Sequence, residues 1–286
     1  FTALERAGQG LTSPELATLL AHVKLDLKAS ILDSDLPDTA VFADRVREYF
    51  PAPPRERYPA AVAAHPLRRE IVATLLVNEM VDAAGSTFAF RLSEELAASP
   101  GDALRAFRVV AELFELPALW AEIGALPASV PSTATDALAL TTRQLLDAGS
   151  RWFLTHRPAP LPVTEEVARF GPAIRRLAPR LPVLLRGREA DEVRVRAAAL
   201  VSAGVPEALA NRTALLPAAV GLLDVVEVGE LTDVGLAGGG LAGGGLAGGG
   251  LADGRRARLP VEQVAELYYA LSERRWSAPA PPTAAL

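Results

Sequence analysis

Glycine is distributed so unevenly that it divides this chain before any other residue is considered. Twelve of the 22 glycines fall between Gly229 and Gly254, and ten serve the other 260 positions. Fixing a glycine inside a helix or strand costs about 0.5–1 kcal/mol relative to alanine, because glycine has the most conformational freedom to lose. Sparse glycine therefore predicts regular structure over most of the chain, and the cluster predicts an excursion from it. Within the cluster LAGGG begins at Leu236, Leu241 and Leu246, and Leu251 opens a fourth, broken copy. A five-residue period matches no packed repeat, so 229–258 reads as a flexible Gly-rich insertion. The tail 277–286, SAPAPPTAAL, reads as disordered.

Outside the cluster the apolar residues are spaced for helices. Leu16, Leu19, Leu20, Val23, Leu27 and Ile31 recur in steps of three and four and form one stripe. Leu138, Leu145, Leu146, Trp152 and Phe153 fit a long helix ending near His156. Val193, Ala197, Leu200 and Val201 share a face opposite Arg188, Arg194 and Arg196, and Val261, Val264, Leu267, Tyr268 and Leu271 close the series. Proline and capping residues mark the starts: Ser13-Pro14-Glu15 and Ser99-Pro100-Gly101-Asp102 each read as N-cap, early proline and an acid near the positive helix end, and Thr164 before Glu165 and Glu166 reads as another cap. Gly85 is placed to end one helix with a positive φ, with Ser86 or Thr87 capping the next.

These signals predict helices at 13–32, 39–49, 55–64, 67–84, 87–97, 100–114, 117–124, 132–156, 165–185, 188–203, 206–226 and 260–275. The short ones are least distinct, so about ten or eleven independent helices are expected. Strand alternation is confined to Val225-Val226-Glu227-Val228, which reads as the end of a helix instead. The expected fold class is all-α: an irregular multi-helix bundle with antiparallel neighbours. Pro158, Pro160 and Pro162 predict a break between two helical subdomains, 1–157 and 158–228 plus 259–276.

Composition excludes several functions. Half the residues are hydrophobic, so the chain as a whole is not disordered. It has no cysteine, which removes disulfides, thiolate metal sites and cysteine catalysis. A net charge of −5 argues against nucleic acid as a partner. No apolar run approaches the ~18 residues needed to cross a membrane; the longest, Ala214–Leu223, contains Pro217 and stops at Asp224. The chain opens at Phe1 and not at Met, and nothing there has the pattern of a signal peptide. The expectation is a piece of a longer polypeptide.

Each candidate for chemistry has a plainer structural reading. Gly238, Gly240 and Gly243 spell G-x-G-x-x-G, but a dinucleotide loop needs a strand before it and a helix after it, and more glycine repeat follows. His22, His65 and His156 are far apart in sequence and form no metal-ligand pair; they read as a boundary or core residue, a helix junction and a helix end. Glu94/Glu95 and Glu165/Glu166 are adjacent on helices and point apart, and Asp33/Asp35 read as stop-and-cap residues. Arginine outnumbers lysine 27 to 2, and the pairs Arg68/Arg69, Arg175/Arg176, Arg255/Arg256 and Arg274/Arg275 read as a salt-bridged surface. No catalytic, cofactor-binding or metal-binding residue is therefore assigned.

Several segments carry a resemblance. GLTSPELATLLAHVKLDL (Gly10–Leu27), LDSDLPD (Leu32–Asp38), YFP (Tyr49–Pro51) and HPLRREIVATLLVNEMVDAAGSTFAFRLSEE (His65–Glu95) resemble the C-terminal helical region of the large bacterial NAD-specific glutamate dehydrogenases. So do GVPEALA (Gly204–Ala210), LLDVVEV (Leu222–Val228) and PVEQVAELYYALSER (Pro260–Arg274). The resemblance implies that the full-length enzyme oxidatively deaminates L-glutamate to 2-oxoglutarate and ammonium with NAD. It also implies that the catalytic lysine, the catalytic aspartate and the NAD loop lie upstream of the matched region. Lys24 and Lys28, the only lysines, sit on an ordinary amphipathic helix without a glycine-rich substrate loop. The implied role is a noncatalytic domain that binds no NAD itself. It would pack on or regulate the catalytic domain of the same polypeptide, in a cytoplasmic homo-oligomer with no membrane or nucleic-acid partner. The competing reading is an all-helical protein–protein interaction module without enzyme context; a Rossmann-type domain encoded upstream separates the two.

Overall fold

A computed structural model describes residues 12–234 and 260–276. Among the described residues there are helices and no strand. In chain order they are α1 (Ser13–Leu32), α2 (Ala40–Ala43), α3 (Val46–Tyr49), α4 (Ala52–Arg57), α5 (Pro59–Ala63), α6 (Arg68–Ala84), α7 (Phe88–Leu96), α8 (Pro100–Leu113), α9 (Leu116–Gly124), α10 (Ser132–His156), α11 (Val163–Leu177), α12 (Leu181–Leu184), α13 (Gly187–Ser202), α14 (Glu207–Ala219), α15 (Gly221–Val234) and α16 (Val261–Trp276), with 3-10 turns at Leu36–Asp38 and Ala178–Arg180. These sixteen helices among the described residues, eleven of them with nine or more residues, exceed the ten or eleven expected, because several expected helices are split.

The splits have local causes. Tyr58 precedes Pro59, whose ring excludes the α region for the residue before it, and Tyr58 leaves helix at φ −133° and ψ 53°, separating α4 from α5. Arg45, Arg47 and Glu48 switch to i→i+3 backbone bonds, which divides 39–49 into α2 and α3. Pro179 and Pro182 break 165–185, and the expected helix 206–226 breaks before Gly221. Caps shift by a residue or two. Thr12, not Ser13, caps α1: its N–H and hydroxyl donate to Glu15 Oε2 at 2.8 and 2.7 Å, which holds the Glu15 carboxyl below its ordinary range. Pro162, not Thr164, begins α11, its carbonyl accepting the Glu166 N–H at 3.0 Å. Ser99 caps α8 as expected, accepting the Asp102 N–H at 3.1 Å and donating to its carboxylate at 2.7 Å. Gly85 ends α6 at φ +94°, a region open to glycine, while Thr87 makes no side-chain cap bond.

Contacts divide the chain into two compact units, Phe1–Glu112 with Leu146–Val167, and Leu113–Leu145 with Ala168–Leu286. The expected break at the prolines is not where this division falls: Pro158, Pro160 and Pro162 lie within the first unit, beside buried Leu161 and Val163. The first unit is organised by α6. Its Val72, Ala73, Leu76, Val77 and Met80 are buried, and it packs on α1, the turn Leu36–Asp38, α2 and α3. The α1 stripe is only partly covered. Leu27 and Ile31 are buried, Leu19 and Val23 are half-buried, and Leu16 and Leu20 are exposed. Phe88 of α7 meets Phe107 of α8 edge to face, with ring centroids 6.3 Å apart. The predicted stripe of α10 is buried from Leu138 to Phe153. Gly149 permits its closest approach: a Cβ there would lie 2.9 and 3.1 Å from the two γ-carbons of Val110.

In the second unit α13 packs on α14, α14 on α15, and α15 on α16. Side chains donate to backbone carbonyls near the end of α14. The Tyr269 hydroxyl donates to the Ala218 carbonyl at 2.9 Å, and Arg196 donates to the Ala214 carbonyl at 2.9 Å. Tyr268 donates to Asp224 at 2.8 Å. A Cβ on Gly221 would meet both tyrosines at 3.0–3.1 Å, so glycine is what lets α16 close. The expected face of α16 is correspondingly rotated. Val264 is buried and Leu267 is exposed, while Ala265 and Tyr269 take the inner positions.

The helix α15 continues through Gly229 to Val234, so 229–234 belongs to a helix and not to the Gly-rich insertion. The rest of that segment, 235–258, and the tail 277–286 lie outside the described residues.

Two outcomes are expected. Gly149→Ala gains up to about 1 kcal/mol of helix propensity but forces a methyl into a stiff, buried valine. Overpacking of about 1–3 kcal/mol should win and lower the melting temperature, and adding Val110→Ala should recover much of the loss. Replacing 236–258 by a short turn should leave the melting temperature nearly unchanged. A Cβ on Gly229 would sit 3.7 Å from Val261, so the flanking helices meet near the splice, and loop length changes closure entropy only slowly. A drop of several degrees would show that the excised segment packs.

Candidate functional site

Most charged side chains of the described residues are committed to ion pairs. In the first unit Glu79 lies between two guanidiniums: Arg45 contacts it and also holds Glu48 at 2.9 Å, while Arg108 reaches it at 3.2 Å and Glu112 at 2.7 Å. Asp147 is held by Arg91 at 2.9 Å and by Arg151 at 3.0 Å. Arg151 also binds Glu95, whose carboxyl it holds below the ordinary range by hydrogen bonding. Adjacent Glu94 is exposed and points elsewhere. Arg157 and Glu166 pair at 3.2 Å, each about one-tenth exposed, while neighbouring Glu165 faces outward. These clusters tie helices together.

The residues singled out in the sequence are accounted for in the same terms. Arg68 and Arg69 both bind Asp38, and Arg69 also donates to the Leu32 and Ser34 carbonyls at 2.6 and 3.2 Å, closing the end of α1. Asp33 is the C-cap of α1, and Asp35 receives Arg105 Nη2 at 2.7 and 2.8 Å. Arg176 reaches Glu262 at 3.9 Å. Arg255 and Arg256 and the glycines 238, 240 and 243 lie outside the described residues, as do the side chains of Arg274 and Arg275. Lys24 donates to Asn78 at 3.0 Å and Asp82 at 3.2 Å.

The histidines are not brought together. His22 is exposed, not a boundary or core residue as expected, because the part of α1 that carries it is uncovered. His65 accepts the Leu67 N–H at 3.1 Å just before α6 and packs beside Phe50. His156 ends α10, with Nδ1 2.8 Å from the Trp152 carbonyl and its ring stacked on Trp152. Among the described residues no group of three or more His, Asp or Glu is arranged to hold a metal ion. No single described helix is long and apolar enough to cross a membrane.

The described residues also form cavities, two of which bear on ligand binding. The larger, about 560 Å³, lies within the second unit, walled by Phe114, Ile174, Leu181 and Leu215 and bordered by Glu115, Arg175 and Arg212. Arg212 is already held by Glu122 at 2.6 Å. A wall of this kind suits an apolar group and offers no nucleophile beside a base. The smaller, about 120 Å³ in the first unit, has Asp102 and Arg157 among its lining. Neither was visible in the sequence, because the linings are assembled from segments far apart in the chain.

Residues 8–275 match the family model described as "Glutamate dehydrogenase, C-terminal". The chain belongs to the glutamate dehydrogenase C-terminal family. It is 46% identical over 220 residues to the NAD-specific glutamate dehydrogenase of Mycobacterium tuberculosis, covering 77% of this chain and 13% of that protein. To the NAD-specific glutamate dehydrogenases of Halomonas elongata and Pseudomonas aeruginosa it is 35% and 36% identical, over 80% and 79% of this chain and 14% of each relative. The chain thus spans about one seventh of the length of the curated relatives it matches. The segments that carried the resemblance contribute to α1, the turn Leu36–Asp38, α6, α7, α14, α15 and α16 of this C-terminal domain. Many of their residues are buried, such as Val72, Leu76, Leu92, Leu223 and Val226, or act in pairing, such as Arg69 and Asp38.

The Asp35–Arg105 pair of this domain gives a pH test. The Arg105 hydrogen bond holds the Asp35 carboxyl below its ordinary range. Its stabilisation is therefore present above the unfolded pKa of about 3.9 and lost as pH falls through the folded value. Because Asp35 is largely exposed, Asp35→Asn should cost no more than about 1 kcal/mol at neutral pH. It should also make the melting temperature less sensitive to pH below 4. An unchanged acid profile would show that the pair contributes nothing.

Proposed function

We propose that this chain is the noncatalytic, helical C-terminal domain of an NAD-dependent glutamate dehydrogenase. The complete enzyme converts L-glutamate to 2-oxoglutarate and ammonium, and this domain packs on the catalytic part of the same polypeptide. The observation that carries the proposal is the pairing of high identity with small coverage: 46% over 77% of this chain, but only 13% of a relative named NAD-specific glutamate dehydrogenase.

The chemistry of the described residues supports leaving catalysis and NAD to the upstream polypeptide. A dinucleotide site needs a strand leading into a glycine turn, with a helix N-terminus to receive the pyrophosphate. No strand occurs among the described residues, and the larger cavity is walled by aliphatic and aromatic side chains. These residues do not fit NAD. A rigid helical block against a catalytic domain that opens and closes on substrate has a definite physical effect. It biases the open–closed equilibrium by whatever difference in contact it makes with the two states. In this reading the enzyme is a homo-oligomer of the cytoplasm.

Calorimetric titration of the chain with NAD and with L-glutamate is expected to give no binding, and micromolar affinity for either would overturn the noncatalytic assignment. Removing the domain from the dehydrogenase polypeptide should lower the melting temperature of what remains. If melting temperature, turnover and KM for glutamate all stay unchanged, the domain does not pack on the catalytic part.

A further inference from the structure

The first helix is longer than the surface that holds it. The apolar stripe of α1 runs from Leu16 through Leu19, Leu20, Val23 and Leu27 to Ile31, but only Leu27 and Ile31 are buried. The last polar pin is Lys24, held by Asn78 and Asp82 of α6. Ahead of it, residues 13–23 extend for about 16 Å at 1.5 Å per residue, and none of them is buried. Leu16 is 46% exposed and Leu20 is 36% exposed.

This overhang is nevertheless constructed as helix. Glu15 closes its start on Thr12, and the Thr18 hydroxyl donates to the Pro14 carbonyl at 2.9 Å. Helices shorter than about 12–15 residues are marginal in water without packing. A stripe of aliphatic side chains left in water forgoes about 25 cal/mol per Å² of burial. A capped helix end with three leucines and a valine in register is a face left partly uncovered by the described residues.

We propose that this face, Leu16, Leu19, Leu20 and Val23, is the surface on which the upstream polypeptide of the same dehydrogenase docks. The inference rests on the packing role proposed above and gives it a location. Two observations select this occupant. The matched region is the C-terminal part of proteins about seven times its length, and the family match begins at residue 8, so the remaining polypeptide joins the domain just ahead of α1. The patch is also small. Four aliphatic side chains over about two turns bury far less than the roughly 1,200 Å² that a stable interface between free molecules needs. A tethered partner, at an effective concentration in the millimolar range, needs no such area. A second copy of this chain would need it. Between Ser13 and Val23 the one acid, Glu15, is turned to Thr12, and Lys24 just beyond is turned to α6, so the exposed stripe itself is aliphatic.

The test uses the full dehydrogenase polypeptide with a photo-crosslinking residue at position 16 or 20, and in controls at exposed Leu140 or Val195. Positions 16 and 20 are expected to link within one chain to residues upstream of position 8, with a yield several-fold above the controls. Links between two copies, or yields equal to the controls, overturn the proposal. If only 140 and 195 link upstream, this surface is wrong while the packing role stands; if no position links upstream, both fail. The double variant Leu16→Glu, Leu20→Glu adds a second readout. It should leave the melting of the 286-residue chain unchanged and, in the full polypeptide, speed amide exchange across 13–23. Unchanged exchange overturns the proposal, and so does a large fall in the melting of the chain alone, which would place these leucines in its own core.

Discussion

Burial of the apolar face of α6 is the contact on which the first unit depends. A chain without cysteine, and without a strand among its described residues, has no covalent link or β-ladder to hold distant segments together. Its stability must come from helix faces removed from water, each fully buried side chain contributing about 1.5–3 kcal/mol before entropy is counted. Val72, Leu76, Val77 and Met80 supply that face, and α1, the turn at Leu36–Asp38, α2 and α3 are arranged around it. Elements as short as α2 and α3 have no independent stability. They exist because Phe42 and Val46 are buried.

Arginine supplies the second level of organisation. Its planar, multi-donor guanidinium can bridge two carboxylates, or a carboxylate and a carbonyl, where a lysine ammonium acts as a single point charge. Arg45, Arg69, Arg108 and Arg151 each do this in the first unit. Exposed pairs are worth at most about 1 kcal/mol each, so these bridges fix which helix ends meet which more than they raise stability. The marked preference for arginine over lysine has this structural meaning, and no polyanion is needed to explain it.

Family membership and the absence of an assigned catalytic residue are compatible for a physical reason. The segments shared with glutamate dehydrogenases hold caps, ion-pair partners and buried aliphatic residues: Thr12 with Glu15, Asp38 with Arg68 and Arg69, Val72 to Met80, and Tyr269 on the Ala218 carbonyl. A pattern of this kind specifies a shape. In the role proposed above, that shape is a body on which the catalytic part of a much longer polypeptide packs.

The sequence by itself determined the helices, because period, proline and caps are local properties. The spans of α1 and α10 agree with the predicted 13–32 and 132–156, since each is bounded by a capping or stop signal that acts within one turn. Less local outcomes were decided by tertiary structure. The split at Tyr58 was legible in the proline that follows it, but the close approach of two tyrosines from α16 to Gly221 required knowing where α16 lies. The stripe on α1 specified which residues share a face and could not specify how far along the helix a neighbour would cover them. The cavity among Phe114, Ile174 and Leu215 likewise had no sequence signal. Periodicity reports the angle at which a side chain leaves its own helix axis; coverage and cavities depend on the positions of other axes, which only the assembled fold sets.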